Sequence, residues 1–306
     1  MTLQSLLSRY RLLSLVRRGQ GRGLMLAGLM GLCVVVTWST MSNIRTISIQ
    51  ATTWGGEITF KGQLNDWVVE KGTICRLLLT PNFRAKQPDT SGPCSLSLYN
   101  REVVEDAVID WSADTTIRFT RNGQGEFVVQ TLAGNTAGLP EGSLIVIPAD
   151  TWRGHGALTF QGVARLGGAI ASGSKDYLIG GTWEAHQSGL ATSFFRDVTE
   201  VVKSGSFKLG ATVDLVSETP DVLSYGHITP APEDESGVGV ALLSERGPVA
   251  VRIKHYGLSK AAVFRPDWID TLSSSPMLVA LAVLFSFLLA AIQIFSLVPT
   301  GRTRDR

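Results

Sequence analysis

Glu102, Glu105, Asp106 and Asp110 crowd the stretch EVVEDAVID and are the first place to look for acid–base chemistry. Two carboxylates a few ångströms apart can divide the acid and base roles of sugar hydrolysis, and several together can hold calcium. Here they alternate with Val103, Val104, Ala107, Val108 and Ile109, the composition of a strand or turn edge whose acids face water. That plainer reading is the one expected. Trp111, Trp152 and Trp183 would be sugar-stacking platforms if the chain worked on glycans, and their ordinary role is to fill a core.

The other constellations fail on spacing. Ser174 beside Lys175 has the residue types of a nucleophile pair but lies in a glycine-rich stretch that reads as a surface turn. His155, His186, His227 and His255 are too scattered to supply two metal ligands from one helix or hairpin. No G-x-S-x-G elbow, H-E-x-x-H pair or phosphate-cradling G-x-x-x-x-G-K-S/T run occurs. Basic residues are not lined up with aromatics, which argues against nucleic acid, and a formal net charge of +2 points to no acidic partner. No catalytic residue, metal site or cofactor is expected.

Cys33 sits in an apolar run and reads as a small buried hydrophobe. Cys75 and Cys94 lie in the middle of the chain, where an oxidising compartment would join them in a disulfide; two unpaired buried thiols are the alternative.

These groups need elements to position them. Met277–Val298 carries no charge, and as a helix it would reach roughly 33 Å, enough to cross a hydrocarbon core of about 30 Å. Gly23–Met41 is a second uncharged run, at the short end of the spanning range. Transmembrane helices are therefore expected over 23–41 and 276–298. Thr37-Trp38-Ser39 puts a bulky ring where signal cleavage wants small residues, so the first span is read as retained. Residues 1–22 form a basic amphipathic tail and 299–306 a second basic tail; their arginines keep both in the cytoplasm. Residues 42–275 then face the bacterial periplasm. Gly23, Ala27 and Gly31 give the first span a flat face for another helix, and Trp38 and Trp268 suit interfacial anchoring.

The periplasmic segment is punctuated by glycine and rich in alternating β-formers. Ten or more short strands are predicted, giving a mainly β fold: a sandwich, a barrel-like body or a small β-solenoid, with one short helix. Asn122-Gly123 predicts a hairpin between strands at 115–121 and 126–132, and 244–248 predicts another between 238–243 and 249–256. A single strand is expected over 206–216. Leu190, Phe194, Val198, Val201 and Val202 follow helical spacing and predict a helix that caps an open sheet edge. Ser217–Gly237 reads as a long outer loop, and 258–275 as a rigid connector. GEITFKG at 56–62 and GALTFQG at 156–162 resemble each other, as two related β lobes would.

The functional expectation is a non-enzymatic two-span inner-membrane protein whose β domain is a docking surface in an envelope assembly. Its partners are the bilayer and other membrane or envelope proteins. Phe194, Phe195, Asp221 and Tyr225 are the candidate contact residues. The alternatives are a tethered enzyme or binding protein acting on cell-wall material, and a sensor with a cytoplasmic partner.

Overall fold

Apolar and polar residues alternate along Thr46–Thr53, so one face can be buried while the other meets water, and this run forms β1. Fourteen further strands follow in the computed structural model: β2 (Gly55–Phe60), β3 (Asp66–Leu77), β4 (Tyr99–Asp110), β5 (Thr116–Arg121), β6 (Phe127–Ala133), β7 (Leu144–Ile147), β8 (Leu158–Leu166), β9 (Leu178–Ser188), β10 (Thr199–Phe207), β11 (Thr212–Ser217), β12 (Ser224–Pro230), β13 (Val238–Ser244), β14 (Val249–Lys254) and β15 (Ala262–Phe264). Helix α1 (Ala149–Gly154) lies between β7 and β8. The structure describes residues 45–62, 65–78, 92–134, 136, 138–168, 176–188, 199–217, 223–232 and 236–267, with 30–31, 269–270, 273, 279–280, 282–287 and 290. The chain divides into two compact units, Ile44–Pro266 and a second one made of the two ends.

One sheet holds all the strands, in the order β10-β9-β1-β13-β12-β8-β2-β5-β6-β7-β3-β4, and it forks at β8. β2 takes one edge of β8, while the other edge pairs first with β12, through Leu158–Gly162, and then with β11, through Arg165 and Leu166. β11 carries β14, and β14 carries β15. The two branches meet where Trp183 of β9 lies 5.8 Å from Phe264 of β15. At the other end the sheet curls until the Trp67 indole of β3 donates to the Thr159 carbonyl of β8 at 2.7 Å. Phe60, Trp67, Trp111, Phe119 and Phe127 fill the curl, and Trp152 of α1 stacks on Phe127 at 4.0 Å. A single buried cluster runs through both ends.

The mainly β expectation agrees with the structure, with corrections. Every ladder among the described strands is antiparallel, so the solenoid alternative, which needs parallel coils, is excluded. The predicted capping helix is overturned from Thr199 onward, where the chain is β10 along the edge of β9. Val201 and Val202, read as one helix face, point opposite ways, Val201 being exposed and Val202 buried. β-branched residues pack well on a pleated surface, and the β9 edge supplies the hydrogen bonds. β13 and β14 do not form a hairpin: β13 pairs with β1 and β12, β14 with β11 and β15. The intervening loop crosses between the branches, held by Gly247 against Arg45.

The predicted outer loop contains β12, paired on both sides, where Gly226 is needed because a Cβ there would lie 2.5 Å from Phe160 Cζ. The predicted strand over 206–216 is broken by a turn at Gly210, with φ +74. The hairpin between β5 and β6 is present, but its turn runs from Asn122 to Glu126 with the left-handed residue at Gly125, not Gly123. The expected connector contains β15. The two self-similar heptads are neighbours, β2 and β8 pairing antiparallel at the fork.

In the second unit, Asp267 and Asp270 exchange side chain-to-backbone hydrogen bonds at 2.9 Å, a capping box at a helix start. Residues 282–287 are helical. Among the described residues no helix is long and apolar enough to cross a membrane.

Candidate functional site

Cys75 and Cys94 form the expected disulfide. β7 is buried along its whole length: Ile145 and Ile147 join the main core, while Leu144 and Val146 join Val128 and the two cysteines in a second cluster. The disulfide thus pins the chain after β3 over the outer face of β6 and β7.

The carboxylates of EVVEDAVID are strung along β4, an edge strand paired only with β3 among the described strands, and all four are exposed. Glu102 is engaged by Arg76 across the ladder. No group of three or more acid, histidine or cysteine side chains fit to hold a metal occurs among the described residues. Trp111 is 1 %, Trp152 1 % and Trp183 3 % exposed, so none can stack on a sugar. The histidines are separate: His155 Nδ1 lies 2.8 Å from the Gly156 carbonyl, and His186 Nε2 lies 3.0 Å from Ser48 Oγ. Tyr225 is exposed, accepts from Gln161 and donates to Glu245 at 3.2 Å, and this last bond raises its phenol above the ordinary value. Gly31 is helical with open space where a Cβ would stand. Gly23, Ala27, Cys33, Trp38, Ser174, Lys175, Phe194, Phe195, Asp221 and Trp268 lie outside the described residues.

Two features escaped the sequence reading. The first joins the ends of the β domain. Arg45, 3 % exposed, bridges through its backbone to Gly247, donates Nε to Gln187 Oε1 at 3.1 Å and donates Nη1 to the Pro266 carbonyl. A buried guanidinium needs such acceptors, and supplying them holds the chain's entry into the domain beside its exit.

The second is a row of alternating charges across five neighbouring strands: Arg118 on β5, Glu57 on β2, Arg165 on β8, Asp214 on β11 and Arg252 on β14. Arg118 donates to Glu57 Oε1 at 3.2 and 2.6 Å, and Arg252 donates to both oxygens of Asp214, which raises the Arg252 guanidinium above its ordinary value. Arg165 lies between the carboxylates at 3.8 Å from each. In the next row on the same face stand Gly55, Gly167, Thr212 and Lys254, two residues along from Glu57, Arg165, Asp214 and Arg252. A cleft of about 470 Å³ opens beside the charged row, with Gly167, Thr212 and Lys254 in its lining. Asp176 and Ser259 complete its rim. These residues come from five distant parts of the chain, so no local spacing could reveal them.

No family model, curated protein or solved structure matches the chain.

Proposed function

We propose that this chain is a non-enzymatic two-span protein of the bacterial inner membrane, both tails cytoplasmic, whose periplasmic β domain docks other envelope proteins. The observation that carries the reading is the Arg45 clamp: entry at residue 45 and exit at Pro266 are side by side, as a domain tethered through both ends to one membrane requires. The capping box at Asp267 starts a helix directly before the apolar run from Met277. The Cys75–Cys94 disulfide supports an oxidising compartment.

The docking surface is the edge of β4 that no other described strand pairs, where Val103 is 71 % and Val108 66 % exposed. A strand with one unpaired edge can accept an extended segment by backbone hydrogen bonding. The exposed acids Glu105, Asp106 and Asp110 repel a second copy and favour a partner strand carrying lysine or arginine.

Two measurements test this. A reporter pair fused at Arg306 is expected to be active only in the cytoplasm; activity on the periplasmic side defeats the topology. Photo-crosslinkers at Val103 and Val108 are expected to trap a discrete protein adduct in cells, while one at Leu209, 64 % exposed elsewhere on the domain, does not. Equal labelling from all three positions rules out β4 as the docking edge.

A further inference from the structure

The geometry points to an anion-binding site in the cleft beside the charged row, taking a phosphate ester with free hydroxyls, its oxyanion held by Arg165 and Lys254. The argument starts from how the row's charges are satisfied. Glu57 is matched by Arg118 and Asp214 by Arg252, each through two hydrogen bonds. Both carboxylates are thus neutralised from the outer strands, and the central cation is left over. The Arg165 side chain makes no hydrogen bond among the described residues, its contacts to Glu57 and Asp214 are both 3.8 Å, and it is 55 % exposed. A guanidinium fork in that state keeps planar donors for an oxyanion, which it matches better than a point charge does.

Lys254 has no ion pair among the described residues and lines the same cleft. The matched pairs cancel, so Arg165 and Lys254 outweigh Asp176, the one remaining acid of the lining. Asp176 stands against Gly168 and can accept from a ligand hydroxyl, as Thr212 and Ser259 can. Gly168 lets the Asp176 carboxylate stand at the cleft wall, since a Cβ there would lie 2.4 Å from it. A volume of about 470 Å³ suits a headgroup-sized molecule. A ladder serving the sheet alone would pair its central arginine as closely as the outer two, and would not need Lys254. The proposal stands apart from the docking reading, because the cleft is built by β2, β8, β11 and β14 rather than β4.

The test is binding of glycerol 3-phosphate and of inorganic phosphate to the full chain in non-ionic detergent, by calorimetry. Saturable binding of glycerol 3-phosphate is expected, tighter than that of inorganic phosphate. Arg165→Gln and Lys254→Gln should each weaken it by about tenfold or more, the loss of a charge-assisted contact. Lys208→Gln, on the exposed turn before β11, should leave it unchanged. The Arg165 side chain makes no hydrogen bond here, so its variant should unfold at the wild-type temperature; if it does not fold, Lys254→Gln decides alone. Absence of saturable binding by either compound, or binding indifferent to the variants that fold, overturns the proposal. Vesicles of phosphatidylglycerol identify the source: competition supports the site with a lipid headgroup as its ligand, and no competition supports it with a soluble phosphate ester.

Discussion

The curled end of the sheet is filled with rings, Phe60 stacking on Trp111 at 5.2 Å with Trp67 edge-on to both, whereas at the forked end aliphatic side chains such as Ile47, Ile49, Val213, Val240 and Val251 accompany the Trp183–Phe264 contact. The two ends also differ in how far apart in sequence their partners lie. β5, β6 and β7 follow one another in chain order and in space, and β3 pairs with β4. In the fork, Thr53 of β1 faces Val238 of β13, and Arg165 faces Asp214. Local pairing needs only a turn, while distant pairing must first close a long loop. The rings anchor an end in which sequential pairs predominate, β3 with β7 and β2 with β5 being the distant ones. The fork at β8 joins strands that are all distant in sequence.

The largest effect should come from the rings. Trp111→Ala is expected to cost about 3–5 kcal/mol, measured by urea unfolding, because a large buried side chain leaves a cavity that its neighbours Phe60 and Trp67 cannot close. A cost like that of an exposed residue would show that the rings are not the anchor. Opening the disulfide, in a Cys75→Ser/Cys94→Ser variant, should cost about 3 kcal/mol by freeing the enclosed loop in the unfolded chain. Hydrogen exchange should then quicken around β6 and β7 more than in β13 and β14.

Gly162→Ala tests the join between the ends. Its Cβ would lie 2.1 Å from the Thr59 carbonyl, a backbone atom, so β2 and β8 must shift at a cost of about 1–3 kcal/mol. Both ends should lose exchange protection together; loss at one end alone would show that they unfold separately. The smallest effect belongs to the fork's surface. The Tyr225 phenol is held above its ordinary value by donating to Glu245, so whatever stability this gives is complete below that ordinary value and is lost as pH rises through the raised one. An alkaline absorbance titration should show one tyrosine titrating late, returning toward the ordinary value in Glu245→Gln.

Legibility followed the same division. The hairpin around Asn122 could be read because alternation and turn residues sit side by side in sequence. Even its turn geometry was then set by Asn122 Oδ1, which accepts from the backbone of Gln124 and Glu126. β12 could not be read, because its proline- and acid-rich surroundings look like a loop, and only β8 and β13 on its two sides make it a strand. Thr199–Gly205 was misread as helix because a spacing of three and four is also met by chance in a short strand carrying a bulge, as β10 does between Val201 and Lys203.

The sequence by itself determined the mainly β composition, the availability of Cys75 and Cys94 to each other, the water-facing acids of 102–110 and the two long apolar runs near the ends. Each follows from residue type within one stretch. The tertiary structure alone decided the fork at β8, the Arg45 clamp on Pro266 and the charged row beside its cleft. Their residues lie far apart along the chain and become neighbours only when strands pair edge to edge, a step governed by burial across the whole domain rather than by any local pattern.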